Sequence, residues 1–570
     1  MKEYTKKIVL LIVLLTIIKI VISSFIPTIS IFSDEYIYAE NAQNIHDSGS
    51  FESQGVAQKT YPPLYPLMLS ISYLFKDMNI VYFIIKCINA IVSSLIVIPA
   101  FLLAKEFLDE KKAFYTALLI GILPASFSFA PYIMAENMFY PLFLTSFYFV
   151  FKSFKENVYW WDVGAGISIA LLYLTKVLGL LLIPVVGIYF FYALWQKRFV
   201  QIPKKIIMAL SFLFVITPWI IKKMALQEST NAISVVAGGY GREVFNIASP
   251  KFMLPFMTWT LYYTAFLALA SGVILFVLSL KQLKEKKNES GKKFVVLSVI
   301  TTIVTILIAA NHNATIKTTY PSLFSWATGR LIGRYAEAVI PLIILCGMLF
   351  IAKKRKAQTY KKEIIFTSVL LVLGAQLIFF PLFPINGLSV VWIGVAKYIL
   401  EFLLFAKTSA TQVFSWTSLV VFTLLFSVLP PIVFILQKRK SITPEKIIAL
   451  TAGFFIILNI MNYGLTYYNA KEGWYEKDQN QLGVWINKNL GQETFLIDER
   501  ACTGKISKED QGSLCNKNKE TTIIGFWIRG PLIIGEVEEE AADYIISKQQ
   551  MDLLLIKKQG EIYLYRAKGS

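Results

Sequence analysis

Long apolar runs alternate with short polar segments along most of this chain. The first run extends from Ile8 to Phe25, and comparable runs recur up to residue 466. Because a helix needs about 20 apolar residues to cross a bilayer, the pattern predicts a mostly α, polytopic membrane protein of about 13 spans. The predicted spans are 7–26, 80–104, 113–131, 136–152, 163–175, 177–195, 206–221, 253–280, 294–311, 335–352, 364–383, 413–436 and 446–466.

One apolar stretch, 387–407, is ambiguous. It includes Lys397, Glu401 and Lys407, which is more charge than a lipid-exposed span tolerates. We therefore expect this stretch to lie at the membrane interface or against a cavity.

Basic clusters between the runs test the span count, because cytoplasmic loops are enriched in lysine and arginine. If 387–407 does not span, every cluster falls on one side of the membrane. This predicts a multi-pass plasma-membrane protein with its N-terminus in the cytoplasm and the segment from Ala470 outside. The clusters are Lys6–Lys7, Lys105–Lys112, Lys152–Lys155, Lys197–Lys205, Lys281–Lys293, Lys353–Lys362 and Lys438–Lys446.

The composition agrees with the membrane class. Of the 570 residues, 56% are hydrophobic and only 16% are charged, and the net charge is +19. The basic residues lie in short clusters, where they face anionic lipid headgroups, so we expect membrane lipid and no nucleic acid as a partner. The first run has no small-residue cleavage site after it, which predicts a retained signal anchor.

The composition changes near residue 470. We expect a transmembrane catalytic domain, 1–469, with a first outer loop at 27–66, and a small extracytoplasmic α/β domain, 470–570. In the tail, a helix end is predicted at 485–488 and a turn at Gly560. The predicted strands are 494–497, 521–527, 543–547, 553–557 and 562–565.

Cys502 and Cys515 lie in this tail. An extracytoplasmic position permits a disulfide between them, and two free thiols are the alternative.

Two adjacent carboxylates, Asp34 and Glu35, follow the first span. They belong to the run Ser33-Asp34-Glu35-Tyr36-Ile37-Tyr38-Ala39-Glu40, and Tyr61-Pro62-Pro63-Leu64-Tyr65-Pro66 precedes the second span. A carboxylate at the mouth of a membrane helix is usually solvated by a cavity or used in one. Asp34 is therefore a candidate catalytic base or acceptor-orienting group, and a solvated helix end is the alternative.

The predicted topology brings further charged residues to the same outer face: Glu136, Lys176, Arg242, Arg330 and Arg334. A carboxylate can accept the proton of an attacking hydroxyl, and cations can neutralise a phosphate leaving group. The set suits a transfer reaction. The alternatives are that lysine and arginine at span ends reach toward the interface, that loop arginines are simply solvated, and that Glu136 caps a helix.

These motifs resemble those of the GT-C superfamily of polyprenyl-phosphate-sugar-dependent integral membrane glycosyltransferases. Among its members, the protein O-mannosyltransferases and the lipid A aminoarabinose transferases are the most similar. The residues that carry the resemblance are Asp34-Glu35, Tyr38-Ala39-Glu40, Pro62-Pro63-Leu64-Tyr65-Pro66 and Gly333-Arg334-Tyr335. The resemblance implies the GT-C fold with an outer C-terminal domain.

The resemblance also implies roles for single residues. Asp34 takes the place of the aspartate that acts as the base or positions the acceptor, and Glu35 that of the second acidic residue. Glu136 resembles the acidic residue of the second outer loop. Lys176 resembles the basic residue near the donor phosphate, and Arg334 the arginine of the late motif, which Tyr335 follows.

One departure concerns the proline pair. The aminoarabinose transferases carry a lysine directly before it, whereas this chain has Tyr61 there and Lys59 two residues earlier. We expect Lys59 and Tyr61 to be binding residues. Because Lys59 is displaced from the family position, the resemblance supports its phosphate role less strongly than the roles of the other residues.

Oxygen ligands for a divalent cation are present in Asp34, Glu35 and Glu136. The outer loops contain no Asp-x-Asp, so we expect no obligatory metal or other cofactor, with a divalent cation as the alternative. Trp160-Trp161-Asp162 resembles the start of the oligosaccharyltransferase signature, but the predicted topology places it on the cytoplasmic side, where an aromatic belt explains it better.

The function that the resemblance implies is transfer of one hexosyl or pentosyl unit, with inversion, from a polyprenyl-phosphate donor. The acceptor is a hydroxyl of a protein, lipid or glycan on the outer face. The alternative is a transporter or flippase of lipid-linked sugars, which would need midplane polar residues and paired broken helices. A third hypothesis is a non-catalytic membrane scaffold that presents the tail.

Overall fold

The structure, a computed structural model, is mostly helical. It describes residues 2–30, 32–53, 56–57, 61–196, 202–227, 250–285, 288–315, 326, 331–352, 360–379, 384–405, 416–438, 443–473, 477–498, 519–535 and 542–567.

The helices of the first half are α1 Lys2–Ser24, α2 Ser33–Ser48, α3 Leu64–Leu69, α4 Met78–Ser94, α5 Val97–Lys105, α6 Glu110–Gly121, α7 Pro124–Phe127, α8 Glu136–Lys155, α9 Tyr159–Thr175, α10 Leu182–Trp195, α11 Ile202–Gln227, α12 Pro250–Ala270 and α13 Val273–Lys284. Those of the second half are α14 Glu289–Thr315, α15 Ile340–Ile351, α16 Lys361–Leu373, α17 Pro384–Gly387, α18 Val391–Phe405, α19 Trp416–Lys438, α20 Pro444–Tyr468, α21 Lys477–Asn489 and α22 Lys519–Trp527. The strands are β1 Glu52–Ser53, β2 Val56–Ala57, β3 Phe495–Asp498, β4 Leu532–Gly535, β5 Tyr544–Ser547, β6 Leu554–Gln559 and β7 Ile562–Arg566.

Seven helical stretches within the described ranges are long and apolar enough to cross a membrane. Shorter apolar helices occur at Leu64–Leu74, Glu337–Ile351 and Trp416–Ile432. The polytopic helical class is therefore confirmed, while the count of about 13 spans stays a prediction. The seven stretches are Glu3–Ser24, Met78–Lys105, Val177–Trp195, Pro203–Ala225, Phe252–Ala270, Glu289–Thr315 and Glu445–Lys471.

The predicted span 253–280 is divided into two helices. Helix α12 ends at Ala270, and α13 begins after Gly272, which has a φ of +75°. That backbone conformation is open to glycine but costly for other residues. Helix α18 covers most of the ambiguous stretch 387–407, and within it Lys397 lies 3.6 Å from Glu401 in an i,i+4 ion pair.

The chain separates into two compact units. The first unit comprises Met1–Leu15, Ser93–Ser128 and Met138–Asn462, and the second comprises Thr16–Val92, Phe129–Asn137 and Tyr463–Ser570. The predicted tail domain thus shares a unit with the first outer loop.

In the first unit, small residues let helices approach closely, as membrane helices commonly do. Helix α9 packs along α11, and a Cβ on Gly166 of α9 would lie 2.2 Å from the carbonyl oxygen of Met208. Helices α13 and α15 form a second such pair, in which a Cβ on Gly347 would lie 2.9 Å from the carbonyl oxygen of Leu275.

The Trp160-Trp161-Asp162 motif lies at the start of α9 in a network of ion pairs. Asp162 is fully buried, and it accepts hydrogen bonds from Ser153 at 2.7 Å and from the Lys205 ammonium at 2.6 Å. The Trp161 indole donates to Glu156 at 2.7 Å. These contacts tie α8, α9 and α11 together, which gives the motif a structural role.

In the second unit, the tail forms a five-stranded sheet in the order β4-β3-β5-β7-β6. Strand β3 is parallel to β4 and β5, while β7 is antiparallel to β5 and β6. The small α/β domain, its helix ending near 488 and the hairpin at Gly560 are confirmed. Helices α21 and α22 cover the sheet with a core that includes Leu482, Ile486, Ile524 and Ile528.

Two details of the tail prediction were wrong. The segment Thr521–Trp527 is not a strand but part of α22, and the strand Leu532–Gly535 was missed. The cysteines Cys502 and Cys515 lie outside the described residues.

Candidate active site

Asp34 is the second residue of α2, where its side chain is half-buried beside a group of tyrosines. The Tyr61 hydroxyl donates a hydrogen bond to Asp34 Oδ1 at 2.8 Å. The Tyr61 ring meets Tyr38 edge-on at 5.2 Å, and Tyr38 meets Tyr65 in the same way at 5.1 Å. Tyr65 is buried and donates to the Asn89 amide oxygen at 2.9 Å. Edge-to-face pairs of this kind fix ring orientation, so the hydroxyl at Asp34 is held by a buried framework.

The next residue, Glu35, differs from Asp34 in that it is fully buried. Its Oε1 accepts from the Ser30 backbone at 3.1 Å and from the Ser30 hydroxyl, and its Oε2 accepts from the Ile133 backbone at 3.0 Å. Burial disfavours the charged carboxylate and raises the pKa of Glu35 to about 7, while these three donors act in the other direction. Glu35 joins the start of α2 to the segment 129–137 and thereby positions Asp34.

Glu136 is a buried residue that begins α8. The next residue, Asn137, directs its amide at the carbonyls of Phe129, Tyr132 and Met134, at 3.2, 2.9 and 3.1 Å. A buried amide that binds three carbonyls fixes an irregular loop, because buried backbone groups need partners. Glu136 is therefore presented by a rigid turn in the same unit as Asp34.

In the first unit, two cations surround one aromatic ring. The Lys176 ammonium lies 5.2 Å and the Arg334 guanidinium 5.8 Å from the centroid of the Tyr335 ring. The His312 ring meets the same tyrosine at 5.1 Å. Lys176 is half-buried in extended backbone between α9 and the next turn, and Arg334 is 7% exposed. This concentration of positive charge suits an anionic group.

The Arg334 carbonyl oxygen is bound by Tyr140, whose hydroxyl also lies beside Glu337, and the sequence reasoning missed both residues. The Tyr140 hydroxyl lies 3.1 Å from both the Arg334 carbonyl oxygen and Glu337 Oε2. Glu337 is buried and accepts from the Ser389 backbone at 3.1 Å. Its sequence signal is a lone acid in an apolar run, three residues after the arginine.

Gly333 precedes Arg334 at a point of close packing. A Cβ there would lie 2.6 Å from the Phe266 ring and 2.8 Å from the Asn386 carbonyl oxygen. Glycine is therefore required for the approach of this turn to its neighbours.

The site residues predicted from the sequence divide between the two units. Asp34, Glu35, Tyr61 and Glu136 lie in the second, whereas Lys176, Arg334 and Tyr335 lie in the first. Their convergence on one pocket stays a prediction. Lys59, Arg242 and Arg330 lie outside the described residues. Among the residues that are described, no three His, Cys, Asp or Glu side chains gather closely enough to hold a metal ion.

Comparison with known proteins identifies the fold of the chain and one segment that matches a family model. The family model of dolichyl-phosphate-mannose-protein mannosyltransferases matches residues 51–226. A crystal structure of ArnT from Cupriavidus metallidurans bound to undecaprenyl phosphate superposes with a TM-score of 0.59 at 12% identity, covering 99% of this chain and 98% of that one. This chain has the GT-C fold.

The apo state of the same ArnT superposes on the chain with a TM-score of 0.54 at 12% identity and 98% coverage of both chains. The oligosaccharyltransferase AglB from Archaeoglobus fulgidus, in complex with an inhibitory peptide and a dolichol-phosphate, gives a TM-score of 0.44 at 13% identity, covering 94% of this chain and 69% of that one. No curated protein sequence matches the chain. The resemblance to GT-C glycosyltransferases, and with it the GT-C fold class, is confirmed.

Proposed function

We propose that this GT-C chain transfers a single sugar from a polyprenyl-phosphate donor to a hydroxyl of a protein, lipid or glycan acceptor, with inversion and with Asp34 as the base. The observation that carries the proposal is the half-buried Asp34 carboxylate, which has one oxygen fixed by Tyr61 at 2.8 Å. A positioned carboxylate can take the proton of an attacking hydroxyl as the new glycosidic bond forms.

The donor phosphate is assigned to Lys176 and Arg334. The bond from the anomeric carbon to the phosphate oxygen breaks during transfer, and negative charge develops on the leaving phosphate. Two cations beside the Tyr335 ring would stabilise that charge. The mannosyltransferase family match and the ArnT crystal structure with undecaprenyl phosphate support a lipid-phosphate donor.

The lipid tail of the donor is assigned to an apolar cavity of about 380 Å³ in the first unit. Its walls come from α12, α13, α14, α15 and α16, with Leu342, Ile343 and Cys346 lining it from α15. Because α15 begins six residues after Arg334, a tail in this cavity could leave its phosphate at the cations.

We propose that Asp34 and the tail domain lie on the outer face of the plasma membrane, with the N-terminus in the cytoplasm, as the basic clusters predict. We also propose transfer without an obligatory metal, because Asp34 and Glu35 already accept hydrogen bonds from protein donors. Activity that persists in EDTA is the expected result.

The proposal is tested with full-length protein in detergent, a panel of polyprenyl-phosphate sugars and acceptor-containing membrane extract from a deletion strain. Asp34→Asn should lower transfer by about 100- to 10,000-fold, which is the usual contribution of a general base, while the melting temperature is retained. Asp552→Asn, which changes an exposed aspartate of the same unit, is the matched control. Full activity in Asp34→Asn would refute the base assignment.

The same assay separates transfer from transport. A flippase needs a sealed bilayer to show activity, whereas a transferase forms product in detergent. Absence of product from every donor, with lipid-linked sugar crossing the bilayer of reconstituted vesicles, would favour the transporter alternative.

A further inference from the structure

A cavity of about 530 Å³ lies in the second unit beside α2, on a face of the helix that does not include Asp34. Its volume is in the range of about 300–1,000 Å³ that is usual for small-molecule sites. One wall is made by α2, through Tyr36, Glu40, Gln43 and Asp47, and the other by the segment that leads from α22 into β4.

The walls of this cavity are held together by Arg529. Its side chain is 6% exposed and pairs through both terminal nitrogens with Asp47, with Nη2 at 2.7 Å from Oδ1. Nη2 also donates to the Tyr73 carbonyl at 3.1 Å, and the guanidinium lies 5.2 Å from the Tyr73 ring centroid. The Gln43 amide donates to the Arg529 carbonyl at 2.7 Å. A bidentate arginine of this kind gives a fixed geometry.

Glycines let the opposite wall approach α2 and the sheet. A Cβ on Gly525 would lie 3.0 Å from the Tyr36 ring, and one on Gly530 would lie 1.9 Å from the Glu493 carbonyl oxygen. The segment is therefore shaped by backbone packing, so the cavity is preformed.

The lining combines polar groups with apolar side chains. Carboxylates, amides and serine hydroxyls can accept from or donate to sugar hydroxyls. Tyr36, Tyr73 and Phe526 are each 2% exposed and form the wall behind the cavity, while Ile533, which is 38% exposed, offers apolar surface to a ligand. The polar members are Glu40, Gln43, Asn44, Asp47, Ser48, Ser50 and Arg529.

The charge of the lining selects against anions. Among the described residues that line the cavity, Glu40 and Asp47 are acidic and Arg529 is basic, which gives these side chains a formal charge of −1. A phosphate or carboxylate would meet repulsion here, in contrast to the cations around Tyr335. The donor phosphate is therefore a poor occupant, and an uncharged saccharide suits the site.

The cavity is separated from the reacting centre by the geometry of α2. Gln43 is nine residues after Asp34, which is about 14 Å along a helix of 1.5 Å rise per residue. The lining positions 36, 40, 43 and 47 follow helical spacing on one face, and Asp34 is not among the lining residues. A ligand in the cavity contacts the protein away from the base.

We propose that this cavity binds a saccharide without an anionic group, as the recognition site for a glycan part of the acceptor. The inference rests on the proposed function, since it assigns the acceptor to the carbohydrate class. The site would set acceptor affinity while Asp34 performs the proton transfer.

Binding is tested on full-length protein in detergent, with uncharged trisaccharides of mannose, glucose, galactose and N-acetylglucosamine as probes and monosaccharide phosphates as the anionic counterparts. Saturation-transfer NMR identifies binders, and titration gives their dissociation constants. Asn44→Trp fills the cavity and Gln43→Leu removes an amide while keeping the Arg529–Asp47 pair. His46→Trp, at an exposed position of α2 that does not line the cavity, is the matched control.

We expect at least one uncharged trisaccharide to bind. Asn44→Trp and Gln43→Leu should weaken its affinity by about tenfold or more, as loss of one or two hydrogen bonds in a shielded site does. Asp34→Asn and His46→Trp should leave its affinity unchanged. The melting temperature of each variant verifies its fold.

Other outcomes overturn the inference. These are that no uncharged probe binds, that only the phosphates bind, or that binding is lost in Asp34→Asn and kept in Asn44→Trp. These outcomes leave the proposed function untouched, because that proposal is tested by the transfer activity of Asp34→Asn. Retained transfer in Asp34→Asn, with saccharide binding lost in Asn44→Trp, would refute the base assignment and keep the saccharide site.

Discussion

Tyr61 donates a hydrogen bond to Asp34, 27 residues earlier in the chain, across 2.8 Å. Tyr61 occupies the position directly before the proline pair, and α3 begins two residues after Pro62. The proline pair therefore lies between the tyrosine that binds Asp34 and the start of α3. In the proposed mechanism this bond fixes the orientation of the base.

The first prediction concerns that hydroxyl. Tyr61→Phe keeps the ring that packs edge-on against Tyr38 but removes the donor to Asp34. We expect turnover to fall about tenfold, because a hydrogen bond to a charged group contributes about 1.5–3 kcal/mol. The melting temperature should change little. Tyr61→Ala, which also loses the ring contact, should lower both turnover and stability. Equal turnover in Tyr61→Phe and the unmodified protein would contradict the orienting role of the hydroxyl.

The second prediction concerns the pH dependence of stability through Glu35. Burial raises its pKa from 4.5 to about 7, so the folded chain binds more protons than the unfolded chain between these values. Its contribution to stability is fully present below about pH 4.5 and is lost as the pH rises through 7. The loss corresponds to about 3 kcal/mol, and it should appear as a falling melting temperature.

Glu35→Gln provides the comparison for this effect. The variant cannot titrate at this position. The part of the decrease in melting temperature with rising pH that Glu35 causes should therefore be absent from it. Asp552→Asn should retain the fall. Parallel pH curves for the unmodified protein and Glu35→Gln would show that another group is responsible.

The third prediction concerns the turn before Arg334. Gly333→Ala places a methyl group 2.6 Å from the Phe266 ring, so the turn must move at a cost of about 1–3 kcal/mol. The donor concentration for half-maximal rate should rise, because Arg334 and Tyr335 move with it. Gly187→Ala is the control, since nothing lies within 4 Å of a Cβ there. Similar kinetics in the two variants would show that glycine is not required at position 333.

The fourth prediction concerns the buried pair Asp162 and Lys205. Lys205→Met leaves the Asp162 carboxylate buried without its cation, which should cost about 3–5 kcal/mol of stability. The double variant Asp162→Asn with Lys205→Met should recover part of this loss, and activity per folded molecule should stay the same in both. A fall in turnover without a fall in melting temperature would point to a functional role for the Trp-Trp-Asp motif instead.

The apolar periodicity was sufficient to predict the helical membrane class and most helix positions, because burial in lipid demands long apolar runs. It missed the break at Gly272, since the residues on both sides are apolar and a positive φ leaves no hydrophobic signal. Thr521–Trp527 is rich in β-branched and aromatic residues, which favour strands locally. Its contacts with α21 and the sheet instead stabilise a helix.

The same limits apply to the candidate site. Asp34 was selected as a candidate because a carboxylate beside an apolar run is unusual, and Tyr61 because it precedes the proline pair. Glu337, Tyr140 and Asn137 were missed because each acts through backbone carbonyls or amides of residues brought near by folding. Pairings of that kind leave no pattern in the spacing of residue types.

The shared unit of the first loop and the tail has a consequence for biosynthesis. Helix α2 packs against α22, and Gln43 and Asp47 are bound by Arg529. These partners are separated by more than 480 positions, so the ribosome makes Arg529 long after it has made α2. A nascent chain that has not yet reached Arg529 carries α2 without this partner, and the proposed base Asp34 then lies on an unfinished support.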